Sequence, residues 1–384
     1  MTGRSMRRFT RHPMIGRARI VAGLAAAWSL GACAPAALLP YRPDQPATVT
    51  LPVALAGVGD ARAAFATLFA TELHAGDGTR QGPWLHGVPA LTTPAPPDPG
   101  LHTRFAARAA STSVLMVTGL FGDCLGAQAV PFGDGLMRPP PAALDEGYRQ
   151  YDDLGLLSIR FVQVPGRAST DANGKRLAEA IRAEAARPGV ERIVLVGYSK
   201  GVPDLQHALA LLQRDGGVPV AVAALVSIAG AVMGTPLADH YESAYDAVSP
   251  HVTPFDCTPS QGGDMASLTR RERVAWLAAH PLPPGLAAYS IVAHAPVAEM
   301  SPLLRVPAQW LAAADPRNDG QLLASDAMLP GSTLLAEVRA DHWDVALPRD
   351  RHPDAMMRAL TSGRGYPREA LFRATLKWVV TTAP

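Results

Sequence analysis

From residue 114 onward, short apolar runs rich in Val, Ile and Leu alternate with longer stretches whose apolar residues recur every three or four positions. The short runs predict buried strands at 114–117, 156–164, 193–196, 220–228, 288–293 and 333–338, because a strand covered on both faces reads as a continuous apolar run. The 3.6-residue periodicity predicts helices at 141–151, 171–186 and 204–213, near 303–313 and near 368–379. Strands separated by helices of this length imply a mostly parallel sheet covered on both faces by helices, an α/β class. The alternation breaks between about 235 and 285, where Pro250, Pro254 and Pro259 precede a polar helix predicted at 264–279. An insertion at that place reads as a cap over the carboxyl edge of the sheet.

The first hundred residues follow a different pattern. Arg4, Arg7, Arg8, Arg11, Arg17 and Arg19 precede an apolar run at 20–32 that is too short to span a bilayer and has the length of a signal sequence. It ends in Leu30, Gly31, Ala32, Cys33, which resembles a bacterial lipobox. That resemblance implies a signal peptide at 1–32 and a Cys33 lipidated at the start of the mature chain, anchored in the cell envelope on the outer membrane or facing the periplasm. An ordinary signal peptide with a chance cysteine is the alternative. Residues 33–110 read as a tether and N-terminal extension: Pro-rich stretches at 35–52 and 89–99 flank an amphipathic segment at 60–73, with Asp60 as a helix cap and Phe65, Leu68, Phe69 and Leu73 on one face. The main domain is then 111–384.

Composition narrows the partners. The chain has 384 residues, 48% of them hydrophobic, and a formal net charge of +2, so it can bury a large core and lacks the basic excess of a nucleic-acid binder. Three cysteines are present; with Cys33 used for lipid, Cys124 and Cys257 remain as an even pair, open to disulfide formation in an oxidising compartment or to persistence as two free thiols.

The candidate chemistry centres on Gly197, Tyr198, Ser199, Lys200, Gly201, placed directly after one predicted strand and before a helix. A serine there sits on a sharp turn that lifts its hydroxyl above the sheet, and the flanking glycines avoid collisions with neighbouring backbone. A serine hydroxyl needs a base, and the base an orienting carboxylate. His342 follows the last predicted strand and is the best-placed base; His240, His251 and His294 lie in or near the cap. Asp319, between Asn318 and Gly320, is the favoured acid, with Asp315 as the alternative. The oxyanion hole calls for two backbone N–H groups, one from Lys200 and one from Leu120 in the loop Thr118, Gly119, Leu120, Phe121, Gly122, with Phe121 next in line. The glycines near residue 119 lack dinucleotide spacing, Gly174 and Lys175 lack the phosphate-loop pattern, and no Cys/His cluster has zinc spacing, so no cofactor and no metal are expected.

Together these residues resemble the α/β-hydrolases, specifically their lipase and esterase branch. The resemblance runs from about 114 to 348 and includes Gly234, Thr235, Pro236, Leu237, Ala238, Asp239 and the Asn318, Asp319, Gly320 acid. Thr118, where the family often has histidine, and Lys200, where a smaller residue or histidine or glutamine is usual, depart from it. The resemblance implies an α/β-hydrolase fold and a serine hydrolase acting on a small-molecule or lipid ester through an acyl-enzyme. Acyl transfer or thioester hydrolysis by the same triad is an alternative, as is a non-catalytic envelope protein that kept the scaffold. Some bacterial relatives bind calcium through an aspartate two residues after the histidine, the position of Asp344, for which a loop role is the competing reading.

Overall fold

The computed structural model describes residues 58–77, 82–87, 99–120, 137–138, 156–249, 259–346 and 361–384. Eight strands form one sheet: β1 Gly59–Asp60, β2 Thr112–Val117, β3 Met137–Arg138, β4 Ser158–Val162, β5 Arg192–Tyr198, β6 Val222–Ile228, β7 Ala287–Ala293 and β8 Thr333–Val338. Their order is β1-β8-β7-β6-β5-β2-β4-β3. All neighbours pair in parallel except β3, which runs antiparallel to β4 at one edge. The eight helices among the described residues are α1 Arg62–Asp77, α2 Pro99–Ala109, α3 Thr170–Ala185, α4 Gly201–Arg214, α5 Pro236–Val248, α6 Arg270–Ala279, α7 Arg305–Leu311 and α8 Arg368–Thr382.

The two-residue period of the central strands divides the core. Val194 and Val196 of β5 face a cluster with Phe65, Phe105, Leu371 and Val379 from α1, α2 and α8. Ile193 and Leu195 face the opposite cluster, with Leu177 and Ile181 of α3, Leu205 and Leu209 of α4 and Leu277 of α6. Both faces are covered, which is why these strands show no polar alternation in sequence.

The predicted strands and helices on described residues are present, with shifted ends. The helix placed at 204–213 starts one turn earlier, since Pro203 in a first helical turn gives up an N–H that has no partner there anyway. The cap's predicted helix begins at Arg270, where Thr269 caps it by accepting from the Glu272 N–H at 3.3 Å, and a 3₁₀ turn at Ala266–Leu268 precedes it. The broken stretch also hides α5, entered by Pro236 behind the Thr235 cap. The N-terminal extension needs correction. Its amphipathic segment is the helix α1, whose first N–H, from Arg62, donates to the Asp60 carboxylate at 3.0 Å, but Asp60 also belongs to β1, which pairs with β8, and Phe65 meets Trp378 of α8 edge to face at 6.1 Å. The segment is therefore part of the sheet domain, because its apolar face is buried in that domain's core. The helix predicted at 141–151 lies outside the described residues.

The cap is fastened to the sheet edge at several points. The Arg167 guanidinium, fully buried after β4, donates to the Tyr245 hydroxyl at 3.3 Å and to the Ser249 carbonyl, and Tyr245 donates to Asp264 at 2.7 Å. Asp239 accepts the Arg270 N–H at 2.8 Å, and Thr235 donates to the Gln321 carbonyl at 2.5 Å. Asp326 lies buried beneath this base, 3.1 Å from Arg270. Burial pushes its carboxyl from 3.8 up to about 7, with Arg270 pulling the other way. A raised carboxyl favours the protonated form in the folded state, so its contribution to stability is full below the unfolded value and is lost as pH rises through about 7. The melting temperature is expected to fall between about pH 4 and pH 7, and Asp326→Asn, which cannot ionise, should flatten that fall. A variant with the wild-type slope in a pH series of thermal melts would assign the effect to another group.

Candidate active site

β5 delivers Ser199 and α4 begins two residues later, so the turn between them must be very tight. Ser199 holds a φ of 55°, a left-handed conformation rare for a side-chain-bearing residue. Its carbonyl accepts the Val202 and Ala231 N–H groups at 3.2 and 3.1 Å, and its own N–H donates to Ile228 at 3.2 Å. Side chains at the flanking glycines would not fit. A Cβ on Gly197 would lie 2.8 Å from the Val202 side chain, and one on Gly201 would lie 2.4 Å from the Val117 carbonyl oxygen.

The Ser199 hydroxyl donates to His342 Nε2 at 2.9 Å, and His342 Nδ1–H donates to Asp319 Oδ2 at 2.7 Å. With Nδ1 carrying the proton, Nε2 is left as the acceptor that faces the serine. The other Asp319 oxygen accepts the Gln321 and Leu322 N–H groups at 2.8 and 2.7 Å, fixing the carboxylate's direction. Local sequence explains why Asp319 is presented this way. Asn318 donates to the Ala308 and Asp315 carbonyls, both at 3.2 Å, stapling the loop to the end of α7. Gly320 turns the chain at φ 90°, where a Cβ would also strike Leu304 at 2.8 Å. Asp315 is turned elsewhere: its carboxylate binds the Arg317 N–H at 2.8 Å and guanidinium at 3.0 Å. It is not brought to His342.

Gly119 packs against the serine so closely that a Cβ on it would sit 2.5 Å from Ser199 Cβ and 3.3 Å from the Lys200 nitrogen. The loop bearing Leu120 therefore borders the backbone N–H of Lys200, which has no acceptor among the described residues. Phe121 lies outside them, as do Cys33, Cys124, Cys257 and His251. The Lys200 side chain points away from the site into the core, fully buried against Asp204. His240 meets Tyr241 and Trp310, and His294 stacks on His86 with ring centroids 3.8 Å apart; neither is near the serine's hydrogen bonds. The Asp344 N–H donates to Asp341 at 2.9 Å and its carboxylate accepts the Ser362 hydroxyl, an anchored loop. Among the described residues no group of three or more His, Cys, Asp or Glu side chains has the arrangement to hold a metal ion.

Two residues that shape the site carry no sequence signal. Tyr198, the variable position before the serine, donates its hydroxyl to the His342 carbonyl at 2.6 Å. Asp341, buried, accepts three N–H groups, from Ser301 at 2.6 Å, Trp343 at 3.0 Å and Asp344 at 2.9 Å, and so sets the shape of the histidine loop.

Comparison with solved structures agrees with this fold. A carboxyl esterase from a metagenomic source superposes with a TM-score of 0.67 at 28% identity, covering 94% of this chain and 98% of that one. A Bacillus licheniformis lipase in its mature form matches at a TM-score of 0.48 and 19% identity over 70% of this chain and 92% of its own. Lipase 1 from Pelosinus fermentans matches at a TM-score of 0.43 and 13% identity over 68% and 98%. No family model matches the chain, and no curated protein matches it in sequence. By its parallel sheet and its likeness to the metagenomic esterase structure, the chain is a member of the α/β-hydrolase superfamily.

Removing the Tyr198 hydroxyl should loosen His342 without unfolding the protein, since one hydrogen bond is worth about 1 kcal/mol. Tyr198→Phe is expected to lower the rate at which Ser199 reacts with a fluorophosphonate by a few-fold at a melting temperature close to that of wild type. Gly119→Ala, which forces a methyl into Ser199, should reduce it by about 100-fold, the scale of a lost oxyanion donor. Both are read from stopped-flow labelling by a fluorescent fluorophosphonate, and a Gly119→Ala protein labelled at the wild-type rate would show that the loop gives way freely.

Proposed function

We propose that this protein is a serine hydrolase that cleaves carboxylic esters. Ser199 attacks the ester carbonyl while His342 Nε2 takes its proton, and the Asp319 carboxylate balances the imidazolium that forms. The carbonyl oxygen, now negative, faces the backbone N–H groups of Lys200 and Leu120. Collapse of the tetrahedral adduct expels the alcohol, which leaves with the proton from His342, and water repeats the sequence on the acyl-enzyme. The observation that carries this reading is the continuous hydrogen-bonded run from Asp319 through His342 to a serine held at positive φ. It is supported by the likeness, over nearly the whole of both chains, to a structure described as a carboxyl esterase.

Ser199→Ala and His342→Ala are each expected to abolish hydrolysis of p-nitrophenyl esters with the fold retained, leaving no more than roughly a thousandfold over water from binding and the oxyanion hole. Asp319→Asn should be severe and Asp315→Asn mild. The reverse ranking would transfer the orienting role to Asp315. A wild-type protein that neither labels with fluorophosphonate nor turns over any ester from short to long acyl chain would leave a binding scaffold as the better account. Thioester substrates and alcohol acceptors in the same panel separate hydrolysis of esters from thioester cleavage and acyl transfer.

The N-terminal pattern supports a second proposal, that Cys33 is lipidated and holds the enzyme on the cell envelope. A clickable palmitate analogue should label the wild-type chain expressed with its leader in a bacterium, and a Cys33→Ser protein that still labels would overturn the idea.

A further inference from the structure

Lys200 is an unexpected residue where it stands. It occupies the cap position of α4, where a positive charge opposes the helix dipole, and it makes no side-chain cap bond. Its ammonium instead reaches forward one turn along α4 and is held by both oxygens of Asp204, at 2.8 and 2.9 Å. Both side chains are buried to within 2% of full exclusion from solvent. The same two residues are joined a second time through the backbone, where the Asp204 N–H donates to the Lys200 carbonyl at 3.2 Å. Asp204 is in turn fixed from the neighbouring helix: Asn173 of α3 donates to it at 2.8 Å and to the Pro165 carbonyl at 3.0 Å. The two helices approach closely enough for this because residue 174 is glycine; a Cβ there would lie 2.7 Å from the His207 Cβ.

Stability alone is a poor explanation of this arrangement. Burying two charges costs several kcal/mol in desolvation, and an apolar pair of similar volume is commonly as stable or more so. What the pair does achieve is geometric. It clamps the side chain, carbonyl and helical turn of the one residue whose backbone N–H borders the serine, while the left-handed Ser199 on the other side clamps the preceding peptide. We infer that the Lys200–Asp204 ion pair, braced by Asn173, is the positioning element of the oxyanion hole, holding the Lys200 N–H in the direction that the tetrahedral adduct requires. Lys200 thus acts through its backbone, and Asp204 and Asn173 act through Lys200. The inference rests on the serine-hydrolase reading of the site. Burial raises the Asp204 carboxyl, which marks the expense of keeping a charge there and makes the pair depend on its close partners.

The test replaces the pair by an apolar one of similar size. Wild-type protein is first labelled at Ser199 with a fluorophosphonate; absence of labelling would sink the serine-hydrolase reading and this inference with it. With labelling established, the double variant Lys200→Met, Asp204→Leu is expected to fold and melt close to wild type. Its kcat for a p-nitrophenyl ester should fall by about tenfold or more, since small misplacement of a catalytic group has effects of that order, with KM changed less than about twofold. Inhibition by a trifluoromethyl ketone, whose adduct carries the same oxyanion, should weaken by the same factor as kcat. A folded double variant with wild-type kcat and wild-type inhibition would show the pair to be structural only and overturn the inference. Should that variant fail to fold, Asn173→Ala decides: a drop in kcat of about threefold at unchanged KM, matched by weaker ketone inhibition, supports the brace, and undiminished kcat overturns it.

Discussion

The junction between β5 and α4 leaves no room for an ordinary backbone, and the site is built around that shortage. A helix separated from a central strand by only two residues must start within van der Waals reach of the neighbouring strand, and residue 201 would drive any Cβ into the Val117 carbonyl. Relief comes from a left-handed residue, and here that residue is Ser199. A non-glycine residue in this region stores strain of about 1–3 kcal/mol, which the surrounding bonds must over-determine. They do so from both sides, through Ile228, Ala231 and Val202 on the backbone and through His342 on the hydroxyl. The strain gives the serine a fixed position above the sheet, with its hydroxyl aimed at the imidazole.

Everything that meets the serine is fixed by a second set of contacts. His342 is held by Asp319 at its ring, by Tyr198 at its carbonyl and by the Asp319 carbonyl at its N–H, while Asp341 shapes the loop that carries it. Asp319 is held by two N–H groups in a turn that Asn318 and Gly320 make possible. These supports come from loops after different strands, so the site's geometry is a property of the whole carboxyl edge of the sheet. A hydrogen-bonded network of this kind, buried and satisfied, specifies one arrangement more strongly than its separate bonds suggest.

Much of this was legible in the chain because the residues that carry it obey local rules. The apolar runs of β2, β5, β6, β7 and β8 are long enough to stand out, and Gly197 and Gly201 around Ser199 mark a turn that only glycine permits. The turn formed by Asn318, Asp319 and Gly320 is equally local. What escaped was non-local or brief. β1 has two residues and no period to detect, α2 begins inside a proline-rich stretch, and α5 sits in a segment whose prolines read as breaks although Pro236 starts a helix. Tyr198, Asp341 and Asp204 are important through partners 144, 40 and 31 residues away, distances at which composition and spacing carry no information. Lys200 looked anomalous in the motif although Asp204, four residues on in the same helix, stands at ion-pair spacing; what the spacing could not show is that the pair is buried and braced by Asn173.

The fastening of the cap bears on how a substrate reaches Ser199. α5 and α6 are tied to the sheet by Arg167 through Tyr245 and Ser249, by Thr235 through Gln321, and to one another by Asp239 through the Arg270 N–H. Arg273 of α6, buried, reaches the Val232 carbonyl at 3.0 Å and Gln206 of α4 at 2.6 Å. A rigid swing of these two helices would break several buried bonds together and strand the Arg167 and Arg273 charges, each exposed to a desolvation cost of several kcal/mol if left unpaired. The Thr235 bond ends on Gln321, whose N–H holds Asp319, so such a swing would also disturb the acid that orients His342. α5 and α6 are therefore a support of the Ser199–His342–Asp319 arrangement, and access to Ser199 that preserves the Asp319 turn has to leave both helices in place.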